Sequence, residues 1–457
     1  MTKTRIILIG LTASALGACS SGSSDVEEAT GEGSISGLHA ISDLGPVNFM
    51  IEETTIANID YKEFSGIVEY DDLTYNFNFD ILLPDETEFT RMATAELSVV
   101  ADTAYTFVLT GSLADPQITL WQQINRDWQP LIDEAEANET EVTILDASFG
   151  HVAHDVGTLD IYLAEPGTVP ALGNEVATIS FGTLWESTEM DAGEYQLIAT
   201  DPGDPANYRF ASDPFTLGSA VSVNFVIMDA DDSVSSEFVV RLIGSGTGTQ
   251  LVEINATSSM RVVHAADNTG ALDVIIGDGF TDPFVSSLAF GERSGEKEVQ
   301  PGVLNLNVTP EGNPGSFLAE ETISVLKGGK YSFYLSGLPG QLNGFLLPDS
   351  TRRLVTHSLL RVYQGSARVS IVDFYVAPRD SDISLLSPTM VSLPYTSAAG
   401  YQQWIPGSYD LVFTLPGTKT IVGGPMQVEL DALGIYDVVA TDTSQTDRVD
   451  VLFFSDE

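Results

Sequence analysis

A pattern that returns four times along 457 residues constrains the fold more than any other feature of this chain. Short runs alternate apolar and polar residues and are rich in Val, Ile, Tyr, Phe and Thr, with Gly, Pro, Asn or Asp breaking them about every eight to twelve residues, the signature of an all-β sandwich or barrel. Each repeat opens with a strand: Gly37-Leu38-His39-Ala40, Val142-Thr143-Ile144-Leu145, Met260-Arg261-Val262-Val263-His264 and Leu360-Arg361-Val362-Tyr363. A second strand carries an acid or amide before an apolar residue, at Asn48-Phe49, Asp160-Ile161, Asp273-Val274 and Asp373-Phe374, spaced by 112, 113 and 100 residues. Aromatic residues are then followed 14 positions later by an apolar or aromatic partner, in the pairs Tyr61/Tyr75, Phe181/Tyr195, Phe290/Leu304 and Tyr395/Tyr409. Gly193, Gly302 and Gly407 precede the second partner in the last three repeats, where a positive φ is expected to turn the chain into a strand. A further strand recurs at Tyr105-Thr106-Phe107, Val223-Asn224-Phe225, Tyr331-Ser332-Phe333 and Tyr436-Asp437-Val438. A fixed period of this kind marks repeated structural units. The expected modules are residues 35–141, 142–256, 257–356 and 357–457, with one short helix between 131 and 141.

The N-terminus has a basic start (Lys3, Arg5), an apolar stretch from Ile6 to Leu16, and small residues before Cys19. This is the layout of a secretory signal. Leu16-Gly17-Ala18-Cys19 resembles the lipobox of bacterial lipoproteins. The resemblance implies loss of residues 1–18, acylation of the Cys19 thiol and an envelope location. Ser20 after the cysteine resembles the sorting pattern of outer-membrane lipoproteins. Residues 19–34 are small, polar and acidic and are expected to form a flexible tether. No other cysteine exists, so stability is expected from packing without disulfides. No later apolar run approaches the roughly 18 residues needed to span a bilayer, so the lipid is the expected anchor.

Charge is extreme and uneven. The formal net charge is −46, made up of +2 in residues 1–18, −37 in residues 19–257 and −11 in residues 258–457. Such a surface repels nucleic acid and anionic lipid. It suits either divalent cations and basic partners, or simply solubility in salt.

Arg261-Val262-Val263-His264-Ala265-Ala266, Asp273-Val274-Ile275, Leu288-Ala289-Phe290-Gly291 and Pro301-Gly302-Val303-Leu304 together resemble the domain of unknown function 4397. The second module keeps Phe181-Gly182 and Ala192-Gly193-Glu194-Tyr195, and the fourth keeps Pro406-Gly407-Ser408-Tyr409. The first departs most. The resemblance implies tandem immunoglobulin-like β-sandwiches, secreted or anchored, and supplies no catalytic residues.

The residues themselves offer few chemical constellations. His39 and His264 take the same place in their modules, expected to make a structural hydrogen bond, and the second and fourth modules are expected to lack an equivalent. His151 and His154 are close in sequence, yet residues three apart on a strand point to opposite faces, so a metal site would require a loop there. No Gly-x-Ser-x-Gly elbow or phosphate loop occurs, and Gly244-Ser245-Gly246-Thr247-Gly248 reads as a linker. Asp229, Asp231 and Asp232 form the best oxygen cluster for Ca²⁺, in an expected hairpin loop lacking the glycine and distal glutamate of an EF-hand. Trp121, Trp128, Tyr401 and Trp404 are weighed as a glycan platform against packing. The function expected is non-enzymatic binding or support of a protein or glycan partner at the envelope, with no cofactor. The alternatives are a hydrolase of extracellular polymers or a calcium-stiffened adhesin.

Overall fold

The computed structural model describes residues 29–84, 86–124, 126–230, 236–244, 249–277 and 282–456. Among these the chain is all-β, with eight sheets of four or five strands and a short helix at Gln129–Ala137. The strands are built where β-branched and aromatic residues alternate with polar ones. Thr74–Ile81, for instance, sends Phe77, Phe79 and Ile81 into the first hydrophobic core.

The first sheet set is the same each time. Glu32–His39 lies in the sheet interior, antiparallel to the edge strand Val68–Asp71 and parallel to Thr103–Gly111, with Pro116–Ile124 beyond. Ile144–His151, Ser258–Ala265 and Ser358–Gln364 take the same place in three other sheets, each parallel to a later strand: Ser222–Asp229, Lys330–Leu338 and Ile435–Asp442. Four further sheets are antiparallel and carry the second strands of the repeats, Val47–Ile51, Leu159–Ala164, Leu272–Ile276 and Ile371–Pro378. Each faces a sheet of the first set across its own apolar core.

Three details depart from the sequence reading. The first strand begins at Glu32, inside the segment expected to be tether, and Asp72 accepts the amides of Thr30 and Gly31. The strand opening the second repeat is Ile144–His151 rather than 142–145, so His151 ends it as His39 ends the first. Of the three turn glycines, Gly302 alone has positive φ (127°); the left-handed residues fall earlier, just after each aromatic, at Lys62, Gly182, Gly291 and Thr396.

The opening strands are buried almost throughout, because both faces of their sheets are covered. Met260 and Val262 face the third core, whereas Val263 and Ala265 face the fourth sandwich. The sandwiches therefore pack in pairs, first on second and third on fourth, through the outer faces of the mixed sheets. Residues 349–357, between the third and fourth, cross to the first. There Arg352 donates to the Ser42 and Leu44 carbonyls and to Asp60, and Val355 packs on the first core. Lys327 reaches Asp213 at 2.6 Å, tying the third sandwich to the second.

Candidate functional site

The recurrent polar residues are used by the fold itself. His39 Nε2 bonds the Gly45 carbonyl (3.1 Å) and its Nδ1 accepts the Ile41 amide (3.2 Å). His151 does the same with Gly157 and Ala153, and His264 with Gly270 and Ala266. In the fourth sandwich Gln364 replaces the imidazole, its Nε2 on the Val369 carbonyl and its Oε1 on the Ser366 amide. The expectation that the second and fourth modules lack an equivalent is thus corrected. The spacing of 112, 113 and 100 residues that aligns Asp160 with Asp273 also aligns His151 and Gln364. A carboxamide presents the same donor and acceptor as a neutral imidazole. Burial drives the His39 pKa down to about 4 and lowers those of His151 and His264, so the neutral form that makes both bonds is favoured.

The carbonyls of these same residues accept the amides of Lys62, Gly182, Gly291 and Thr396, the left-handed positions. The preceding aromatics Tyr61, Phe181 and Phe290 set their rings edge-on to the three imidazoles. In the last three sandwiches the second-strand aspartates act as clamps, whereas Asn48 at this place in the first accepts from the Asn58 side chain. Asp273 accepts the Ser287 amide with one oxygen and the Gly312 amide with the other. Asp373 likewise holds Ser392 and Gly417, and Asp160 holds the Thr178 hydroxyl and the Gly203 amide.

The sequence reading missed the cluster between the third and fourth sandwiches. Arg361 donates to Asp437 (2.8 Å), Asp349 (2.7 Å), the Pro348 carbonyl and the Tyr334 hydroxyl. Arg261 donates to Ser332 and bidentately to Asp456, with Asp349 at 3.2 Å. Tyr401 stacks over the Arg361 guanidinium (4.5 Å) and donates to Asp437. Burial pushes the Asp349 carboxyl up. For Asp456 the same burial is outweighed by Arg261, Arg293 and Arg353, and its pKa is lowered. The signal for this cluster was present: Arg261 and Arg361 fall at one register position within otherwise apolar opening strands.

The remaining sequence candidates separate. Asp229 is the described member of the calcium triad. Its carboxylate accepts the His154 amide (2.9 Å) and its carbonyl accepts the Tyr61 hydroxyl, and burial raises its pKa. Asp231 and Asp232 lie outside the described residues, as do Cys19 and residues 245–248 of the expected linker. His151 and His154 do not converge: the first turns into the Gly157 loop, and the second is exposed beside Asp155. His154, Asp155, Asp229 and Asp43 border an open cleft of about 340 Å³ where the first two sandwiches meet. Trp121 is buried at that joint, over Gly150, and donates to the Gly182 carbonyl. Trp128 stacks on Arg126, and Trp404 packs on Tyr409. These rings form no shared platform. No group of three or more His, Cys, Asp or Glu among the described residues is arranged to hold a metal.

Fold and polar geometry together define an all-β protein of paired sandwiches whose repeated histidines and aspartates hold loops. The chain belongs to the family described as Domain of unknown function 4397, whose model matches residues 33–162 and 258–375, just over half its length. Each match runs through one sandwich and into the opening strands of its packing partner. No curated protein matches. Among solved structures, a candidate cell-adhesion protein from Bacteroides uniformis is similar at 14% identity, covering 46% of this chain and 97% of its own, with a TM-score of 0.17. The Bacillus anthracis TIE protein is similar at 10% identity, covering 91% of this chain and 69% of its own, with a TM-score of 0.15. A candidate cell-adhesion protein from Bacteroides eggerthii is similar at 10% identity, over 46% and 96%, with a TM-score of 0.17. Likenesses this remote carry no functional inference. No helix among the described residues is long and apolar enough to cross a membrane.

Proposed function

We propose that this is a lipid-anchored protein of the cell envelope that holds paired β-sandwiches toward a protein or glycan partner, in a binding or structural role without a reaction of its own. The observation that carries the reading is the packing of the sandwiches through buried joints. A protein built to position a surface at a distance from its anchor needs fixed joints, because a flexible connection would spread that surface over many orientations. The recurrent histidines and aspartates support the same reading, since their polar atoms are committed to backbone groups. Cys19 supplies the anchor, most simply in the outer membrane given Ser20. Labelling cells with a palmitate analogue tests it. The wild type should take up label and sediment with membranes. Cys19→Ser should do neither while keeping its β-sheet circular dichroism. A Cys19→Ser protein that still carries label removes the anchor.

One observation favours a second reading, hydrolysis of an extracellular polymer. The Asp229 carboxyl, its pKa raised by burial, borders the cleft between the first two sandwiches, as a proton donor would. Product released by wild type and lost in Asp229→Asn would establish it, and the absence of product from both would dismiss it.

A further inference from the structure

Two sandwiches place a buried tyrosine at the same position and treat its hydroxyl differently. Tyr162 and Tyr375 each stand two residues after the clamp aspartate, opposite Ile198 and Val412 on the neighbouring strand. Both are almost fully buried, at 3% and 2% exposure. In the fourth sandwich Lys419 covers the tyrosine. Its Nζ lies 3.1 Å from the Tyr375 hydroxyl and 4.7 Å from the ring centre, and it donates to the Ile383 and Leu386 carbonyls of the overlying loop. The hairpin Thr414-Leu415-Pro416-Gly417-Thr418-Lys419 aligns with Thr200-Asp201-Pro202-Gly203-Asp204-Pro205, so Pro205 stands where the lysine would be. The Tyr162 hydroxyl is buried without a hydrogen bond of good geometry: the Thr200 side chain on the next strand lies near it, but its hydroxyl donates to the Asp201 carbonyl.

Beside Tyr162 the structure leaves a cavity of about 80 Å³, bounded by Glu165, Val169, Pro170, Asn174 and Ile198. It shares Val169 and Ile198 with an open groove of about 440 Å³ that passes Tyr208. The inner volume exceeds the roughly 30 Å³ share of one water and suits the tip of a lysine side chain. Charge points the same way. Glu175 and Asp160 act on Tyr162, Glu165 borders the cavity, and Arg209 in the outer groove is already paired with Asp201 and Glu237.

We propose that the second sandwich binds a lysine side chain of a partner protein in this cavity, its ammonium taking the place that Lys419 fills in the fourth. The tyrosine supplies a π-face and a hydroxyl acceptor, the acids supply the field, and Val169, Pro170 and Ile198 receive the methylene stem. The site stands independently of the anchor at Cys19.

Calorimetric titration of the full chain carrying Cys19→Ser tests it, with Nα-acetyl-lysine methylamide, n-butylammonium and neutral n-butanol as probes. The lysine derivative and butylammonium should saturate one site, and butanol should bind at least ten-fold more weakly. Tyr162→Phe, which keeps the ring and the packing, should weaken both cations about five- to ten-fold, whereas Tyr375→Phe should leave them unchanged. Equal binding of butanol would make the cavity merely apolar and overturn the proposal. Binding of butylammonium with exclusion of the lysine derivative would overturn the protein partner. No binding of either cation would overturn the site.

Discussion

The two joints use one backbone arrangement, and the second adds a buried ionic cluster to its apolar contacts. Between the first and second sandwiches the opening strands carry Ser36 and Ser148 where the other pair carries Arg261 and Arg361. The space is filled by Leu38, Val108, Trp121, Val226 and Met228. Between the third and fourth, two arginines meet Asp349, Asp437 and Asp456 beneath the rings of Tyr334 and Tyr401. An apolar joint is stabilised by the surface it removes from water and tolerates partial loss. A buried ionic joint must recover the cost of desolvating every charge, so its members depend on one another. The difference parallels the charge along the chain. The first half has few cations, whereas the second has arginines to commit to an interface.

The comparison breaks most sharply at Arg361. Arg361→Ala leaves Asp437 and Asp349 buried without their principal cation and should cost about 3–5 kcal/mol. Urea denaturation should show the loss, and a cost below about 1 kcal/mol would mean that water replaces the guanidinium freely.

Next in size is the acid response of the loop staples, two histidines in the first pair against one histidine and Gln364 in the second. His39 titrates near 4 when folded and near 6.5 when unfolded. Between these values the unfolded chain binds the extra proton, so stability is full above about pH 6.5 and falls as pH drops toward about 4. The loss amounts to about 3 kcal/mol. Arg352 lowers the value further and Asp60 opposes it, and both are smaller influences than burial. His39→Gln should keep both hydrogen bonds, as Gln364 does, and flatten melting temperature against pH over that window. An unchanged slope would assign the acid sensitivity elsewhere.

Gly150 sharpens the apolar side. A Cβ there would lie 2.5 Å from the Trp121 ring, so Gly150→Ala should cost about 1–3 kcal/mol by overpacking. Trp121→Phe in the same chain should recover part of it. Recovery marks the joint as the place of the clash, whereas additive losses would place it elsewhere.

The smallest effects belong to the surface. Lys327→Ala removes an ion pair whose partner Asp213 is half exposed, and should change stability by less than about 1 kcal/mol, fading in salt. Calcium titrated into wild type and Asp231→Asn should give matching, non-saturating heats if the acidic surface is only a coat. A saturating wild-type trace lost in the variant would establish a site at Asp229, Asp231 and Asp232.

The β class was legible because alternation and turn residues report local geometry. The second-strand acids were legible as a repeat, but not as clamps, because Asp273 acts on Ser287 and Gly312, residues brought to it only by neighbouring strands. His151 was hidden by a misplaced strand start, although the spacing of the clamps already pointed to it. The tryptophans could not be placed at all, since a ring over Gly150 and a ring on a glycan platform look alike in sequence.

What the sequence determined alone was what depends on near neighbours: the strand period, the punctuating turns and the charge. The tertiary structure decided which faces are buried twice. An opening strand with both faces covered and one with a single covered face differ only in what packs on the outside, and that partner lies about a hundred residues away in the chain. Arg261 in an apolar strand is therefore a costly charge until Asp349, Asp437 and Asp456 are folded against it. Only the packed pair makes it a joint.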